Sequence, residues 1–254
     1  MKGKLRVDAT IFDRRRGTGV GGWRRYIGSL SGLIHDAGAG GGDPALAAGR
    51  KFERALRKRG VRVRGVAHGR VPQRLREHPA IAVARSPKLA RLVDETNETS
   101  NNFYAEMLLK RVAARDGRRG TTRAGARRAR SFARRLGARI RQRDGSGLSR
   151  ANRASPRGVG RLLAEMRDHD AGRAFEASLP VAGREGTLRY RMRGTAAQGR
   201  CRGKTGTLTG VSALSGYCDA GGRTLVFSIL MNGADVTAAR AIQDRMAAAI
   251  ARSG

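Results

Sequence analysis

The stretch CRGKTGTLTGVSALSGYC, residues 201–218, constrains this chain more than any other. It holds both cysteines of the 254 residues and two strand-like runs separated by Thr209 and Gly210. With those two residues as the turn, the runs pair as an antiparallel hairpin and Cys201 stands directly opposite Cys218. A non-hydrogen-bonded pair at that position is close enough for a disulfide, and a bridge there pins the register of the strand that carries Lys204. Such a bridge implies an oxidising compartment; the other reading is two free thiols in a cytosolic chain. The apolar run TLVFSILM, residues 224–231, reads as a third strand after a short turn. Ile242, Met246 and Ile250 then mark the inward face of a closing helix over 235–252.

Upstream of this sheet the pattern is mostly helical. Asp43 as cap, Pro44 in the first turn and Gly60 as stop frame a helix with Leu46, Phe52, Ala55 and Leu56 inward. Residues 86–114 read as two helical pieces, the second with Phe103, Met107, Leu108 and Val112 on one face. A third helix turns Ala126, Ala129, Phe132 and Leu136 inward. A fourth begins at a Ser155 cap and Pro156, with Val159, Leu162, Leu163 and Met166 apolar. Alternation predicts strands in KLRVDATIFD at the start, in VRVRGVAHG and in AIAVA at 80–84. Consecutive antiparallel strands with helices before and after them define an α+β fold, an antiparallel sheet flanked by helices. Gly17, Gly19 and Gly22 have the spacing of a dinucleotide fingerprint, but no amphipathic helix pattern follows and no acidic residue stands at the later position it needs.

Charge bounds the partners. The formal net charge is +33, from 46 arginines and only seven lysines against 20 acidic residues. So large an excess attracts any polyanion. The arginines nevertheless run along the whole chain without aromatic interleaving or a zinc-finger or RNP-like pattern, so no nucleic-acid partner is expected. No apolar run reaches the roughly 18 residues of a transmembrane segment, so none is expected. His35, His68, His78 and His169 lack metal-ligand spacing and there is no phosphate-binding loop; neither metal nor cofactor is expected.

One of the seven lysines lies in KTGT, residues 204–207. Lys204, Thr205 and Thr207 on an edge strand offer a cation and hydroxyls to a carboxylate, and backbone N–H groups there can face a developing oxyanion. Gly206 lets a substrate backbone come close. Taken alone, the segment is also an ordinary hairpin strand. Ser100 and Asn102, just ahead of a helix, read on their own as capping residues. DGSGLSRANRASP, residues 144–156, reads as a polar turn and a cap. Their order gives these pieces weight: Ser-x-Asn before a helix, about a hundred residues, Lys-Thr-Gly on a hairpin strand, an apolar strand and a last helix.

In that order the chain resembles the D-alanyl-D-alanine carboxypeptidase/endopeptidase group of low-molecular-mass penicillin-binding proteins. The resemblance rests on SPKLARLVDETNETSNNFYAEMLLK, DGSGLSRANRASP, SLPVAGREGTL and GKTGTLTGVSALSGYC, and extends to VDATIFD and DPALAAGRKFERALRKRGV. It implies a penicillin-binding, serine β-lactamase-like fold. Residues 1–70 would be the remnant of an inserted, β-rich second domain, and 71–254 a transpeptidase-like domain. It implies a serine-type D-Ala-D-Ala peptidase of peptidoglycan acting through an acyl-enzyme, in an extracytoplasmic location. The implied partners are stem peptides ending in D-Ala-D-Ala and, for the full-length parent, β-lactams. In this resemblance Ser100 shuttles protons, Asn102 holds the substrate amide and Lys204 places positive charge beside Ser100. Thr205 and Thr207 bind the terminal carboxylate, and the Thr207 N–H forms half of an oxyanion hole. The middle residue of the Ser-x-Asn motif, usually Asp, is Asn101 here.

The family's nucleophile is the serine of a Ser-x-x-Lys motif, and no lysine of this chain has a serine three residues before it. Cys201 and Lys204 have the spacing, but on an extended strand residues three apart face opposite ways, whereas the motif needs one helix face. Without a nucleophile, covalent catalysis cannot begin. The expectation is a C-terminal portion of a longer enzyme, N-terminally incomplete, lacking the first strands and the nucleophile helix and inactive alone. TLVFSILM would then be an exposed apolar edge. The alternative is a non-catalytic relative that binds wall peptide or polyanion.

Overall fold

Two short strands, β1 (Leu5–Val7) and β2 (Val66–His68), pair in parallel, and helix α1 (Pro44–Lys58) packs on them. The computed structural model describes residues 3–254 apart from 19, 40–41 and 73–77. They divide into two compact units, one of Met1–Ser86, Ala105–Arg128 and Arg143–Ser149, the other of Pro87–Tyr104, Ala129–Gln142 and Arg150–Gly254. The Asp43 carboxylate accepts from the Ala45 and Leu46 N–H groups at 3.0 and 3.1 Å and starts α1, with Pro44 in its first turn. The inward face differs from the sequence stripe. Pro44, Ala45 and Gly49 are buried, whereas Phe52 is exposed. A Cβ at Gly49 would lie 2.5 Å from Val66, so α1 rests on the two strands through its smallest residues.

AIAVA is not a strand: Ile81 and Val83 are exposed in irregular backbone. Alternation creates a strand only where an edge is free to pair, and none takes this segment among the described residues. Of the glycine fingerprint, Gly19 lies outside the described residues, and Gly22 precedes only a three-residue helical turn, Trp23–Arg25.

Among the described residues five helices follow: α2 (Leu89–Glu98), α3 (Asn102–Ala113), α4 (Thr122–Arg135), α5 (Pro156–Arg167) and α6 (Gly172–Ala177). The Ser155 Oγ accepts from the Gly158 N–H at 3.0 Å, and Pro156 opens α5. In α3 the buried stripe is Phe103, Glu106, Leu109, Lys110 and Ala113, while Val112 is exposed. Two charged residues hold core positions because each finds specific partners. The Glu106 carboxylate accepts from the Gly145 and Ser146 N–H groups, each at 2.9 Å, and from the Ser146 hydroxyl at 2.8 Å. The Lys110 ammonium donates to Asp13 and to the Arg15 carbonyl.

The second unit is built on a three-stranded antiparallel sheet in the order β3 (Cys201–Leu208), β4 (Val211–Ala220), β5 (Arg223–Asn232). Thr209–Gly210 is the first turn, and Cys201 stands opposite Cys218. Gly221 and Gly222, at φ +61° and +82°, make the second turn, a backbone path that side chains rarely tolerate. One face packs Cys201, Leu214, Cys218, Phe227 and Ile229 against Ala247, Ala248 and Ala251 of α7 (Val236–Arg252). The other packs Tyr217 and Val226 against Leu163 of α5, and the Tyr217 hydroxyl donates to the Leu163 carbonyl at 2.8 Å. Helix, sheet and helix form three layers, and a fully buried side chain such as Leu214 contributes about 2 kcal/mol to them.

Helix α7 lies on its alanine face, not on the Ile242–Met246 face that spacing predicts; those two side chains are 39% and 43% exposed. The Cys201 and Cys218 sulfurs lie 3.8 and 4.0 Å from the Ala247 carbonyl, so only small residues fit between the helix and these strands. Among the described residues β5 pairs only with β4, which leaves one edge of this apolar strand open.

Candidate active site

Ser100 sits in the turn between α2 and α3 at φ +58°, a left-handed conformation that costs a non-glycine residue about 1 kcal/mol. The cap of α3 is the neighbouring residue: the Asn101 side-chain oxygen accepts from the Tyr104 N–H at 3.1 Å. Ser100 is therefore not consumed as a cap. Asn102 occupies the first position of α3, and its side chain makes no hydrogen bond among the described residues.

The facing wall is β3. The Ala182 N–H donates to the Cys201 carbonyl at 2.8 Å and the Gly203 N–H to the Pro180 carbonyl at 3.1 Å, so these groups point away from β4. Antiparallel ladders alternate, so the N–H and C=O of Thr205 and Thr207 also point off the open edge. A disulfide joins Cys201 to Cys218 at a Cα separation of 4.0 Å, as suits a non-hydrogen-bonded pair. Gly203 and Gly216 face each other beside it; a Cβ on Gly216 would meet the Arg202 carbonyl oxygen at 2.0 Å.

The Lys204 ammonium donates to the Ser100 Oγ at 2.8 Å and to the Thr205 carbonyl at 3.0 Å. No carboxylate pairs with it among the described residues, and burial pulls its pKa down from 10.5 to about 8. About nine lysines in ten are still charged at pH 7, and a modest change in surroundings exchanges the proton. Gly206, opposite Ala213, follows on the Lys204 face of the strand. On the other face the Thr205 hydroxyl donates to the Thr187 hydroxyl at 2.9 Å, and Arg240 of α7 donates to the Thr207 hydroxyl at 3.0 Å.

The structure thus joins Ser100 to Lys204, keeps Asn102 two residues from Ser100, and sets Thr205, Gly206 and Thr207 along the adjoining edge. Sequence reasoning missed Thr187 and Arg240. The stretch SLPVAGREGTL contains Thr187 but nothing in it marks that threonine, and Arg240 is one arginine among 46. Only the fold, which brings α7 beside the end of β3, singles it out.

Comparison with known proteins fits this arrangement. Residues 35–253 match the model of the D-Ala-D-Ala carboxypeptidase 3 (S13) family. The chain is 40% identical over 218 residues to the D-alanyl-D-alanine carboxypeptidase of Actinomadura sp. (strain R39), covering 82% of this chain and 40% of that protein. It is 34% identical over 232 residues to carboxypeptidase DacB of Mycolicibacterium smegmatis, covering 83% of this chain and 47% of that one. The chain therefore spans less than half the length of these relatives. Penicillin-binding protein 4 of Haemophilus influenzae, solved with a β-lactam, superposes with a TM-score of 0.68 at 25% identity, over 80% of this chain and 49% of that one. Among the described residues no helix is long and apolar enough to cross a membrane. The chain has the penicillin-binding fold and belongs to the D-Ala-D-Ala carboxypeptidase 3 (S13) family.

Proposed function

We propose that this chain forms the substrate-holding walls of a serine-type D-Ala-D-Ala peptidase acting on peptidoglycan outside the cytoplasm. The observation that carries the reading is the 2.8 Å hydrogen bond between a half-buried Lys204, which has no carboxylate partner among the described residues, and a Ser100 held in a strained turn. A peptide ending in D-Ala-D-Ala lies along β3 by strand addition, its backbone bonding to the outward groups of Thr205 and Thr207. Its terminal carboxylate meets the Thr205 and Thr207 hydroxyls, and the guanidinium of Arg240 adds a charge-assisted donor there. Asn102 holds the substrate amide. The Thr207 N–H supplies one of two donors to the carbonyl oxygen as it becomes an oxyanion. Ser100, bonded to an ammonium with a pKa of about 8, relays a proton towards the leaving amine.

The acylating serine and its lysine lie outside these 254 residues in this reading, since no Ser-x-x-Lys occurs within them. Residues 1–70 derive from an inserted domain, and 71–254 from the transpeptidase-like domain. The test is incubation with a fluorescent penicillin, followed by a denaturing gel and by equilibrium binding of a peptide ending in D-Ala-D-Ala. The expected result is reversible peptide binding that Lys204→Met abolishes, with no covalent label. A stable covalent adduct would reveal a nucleophile inside the chain. Peptide binding indifferent to Lys204→Met would remove the substrate-holding role.

A further inference from the structure

A second candidate site lies in the same unit, on different elements. A groove of about 680 Å³ runs between the last turns of α4, residues 138–141 and the segment 153–155 that leads into α5. Five of its nine lining residues are arginines: Arg130, Arg134, Arg139, Arg141 and Arg153. The chain as a whole has 46 arginines in 254 residues, so the groove is enriched about threefold over the compositional background. No acidic residue lines it among the described residues; the remainder are Ala138, Ile140, Ala154 and Ser155.

The arginines are held in place by backbone geometry. The Arg141 N–H donates to the Arg153 carbonyl at 2.8 Å and the Arg153 N–H to the Arg141 carbonyl at 2.9 Å, which sets these two residues side by side. Arg130 donates to the Gln142 carbonyl at 2.6 Å, tying α4 to the same strip. Arg153 donates to the Arg150 and Asn152 carbonyls. The side chains of Arg134, Arg139 and Arg141 make no hydrogen bond or ion pair among the described residues. Arg135, by contrast, lies over the Phe132 ring and does not line the groove. Five guanidinium groups around one concavity repel one another unless an anion neutralises them, and the planar fork of arginine matches phosphate with two parallel bonds.

We propose that this groove binds a phosphodiester-linked polyol or sugar chain, with Arg134, Arg139 and Arg141 gripping successive phosphates. The lining argues against nucleic acid as the occupant, because it offers no aromatic ring on which a base could stack. Alanine, isoleucine and serine suit the short polyol links between phosphates. The proposal does not depend on the peptidase reading, since neither Ser100 nor Lys204 lines this groove.

The experiment measures binding of fluorescently labelled poly(glycerol phosphate) by anisotropy at about physiological ionic strength. It compares the wild type, the triple variant Arg134→Ala, Arg139→Ala, Arg141→Ala, and a charge-matched control, Arg59→Ala, Arg173→Ala, Arg245→Ala. The groove variant should bind at least about tenfold more weakly, and the control within about threefold of wild type. A third variant, with lysine at the same three groove positions, keeps the charge and guards against misfolding; it should fall between the two because the bidentate fork is lost. Equal losses in the groove variant and the control would reduce the effect to bulk charge and overturn the proposal. Single-stranded DNA of matched charge binding as tightly, with the same dependence on the three arginines, would overturn the assigned occupant.

Discussion

Replacing Lys204 by methionine isolates what the half-buried ammonium costs this fold. Burial lowers the folded-state pKa to about 8, against 10.5 for the ordinary group. Between those values the unfolded chain holds the proton and the folded chain does not, so wild-type stability rises with pH across the window. Below pH 8 the whole penalty stands, and it amounts to about 3 kcal/mol. Methionine fills similar space and cannot titrate. It also forfeits the hydrogen bonds to Ser100 and Thr205, about 1 kcal/mol each. Lys204→Met should therefore be about 1 kcal/mol more stable than wild type at pH 7. By pH 10 the wild type regains about 2.5 kcal/mol and the order reverses. Urea unfolding followed by circular dichroism, in non-reducing buffer across this range, measures the crossing. A stability difference that stays flat within about 0.5 kcal/mol from pH 7 to 10 would refute the reasoning.

Three further outcomes are expected. The double variant Cys201→Ala, Cys218→Ala should lose about 3 kcal/mol, read as a drop in the urea midpoint, because the bridge closes a loop with a sequence separation of 17. Gly216→Ala should be destabilised by about 3 kcal/mol or more, since its Cβ would strike backbone that cannot move without parting β3 from β4; thermal melting checks this. Asn101→Ala should cost about 1 kcal/mol of helix stability, and Asn101→Asp should restore it or slightly exceed it, because a carboxylate caps the same N–H and suits the positive helix end.

What was legible in the sequence was local. The caps at Asp43 and Ser155 and the turn at Thr209–Gly210 each depend on chemistry within a few residues, and the structure has them in place. The inward faces of α1, α3 and α7 were not legible, for related reasons. Periodicity arguments weigh side-chain size, but α1 and α7 approach their sheets through glycine and alanine, where close packing outweighs bulk. In α3 the stripe is interrupted by Glu106 and Lys110, whose burial depends on partners far along the chain. AIAVA had the alternation but pairs with no strand among the described residues, and alternation alone does not say whether a segment reaches an edge. At the site, Ser100 and Lys204 were readable only as an order of motifs. Thr187 and Arg240 carried no sequence signal because their contacts exist only once the sheet and α7 have packed.

Two lysines of this chain, one buried and one half-buried, allow an internal comparison. Lys110 is fully buried and is matched by the Asp13 carboxylate and the Arg15 carbonyl, which is how a fold ordinarily tolerates an interior cation. Lys204 is half-buried and, among the described residues, donates to a hydroxyl and a carbonyl but to no carboxylate. Its neighbour Ser100 is strained where glycine would be relaxed, and the adjoining edge of β3 presents N–H groups unpaired among the described residues where a proline would silence them. Each feature works against stability, and each has a cheaper substitute one mutation away. Their convergence within one hydrogen bond supports the proposed reading, because Lys110 shows how this fold pairs an interior lysine with a carboxylate. In the reading proposed above, the counter-charge that Lys204 lacks among the described residues is supplied from outside the fold, by a substrate that brings its own negative end or develops one during reaction.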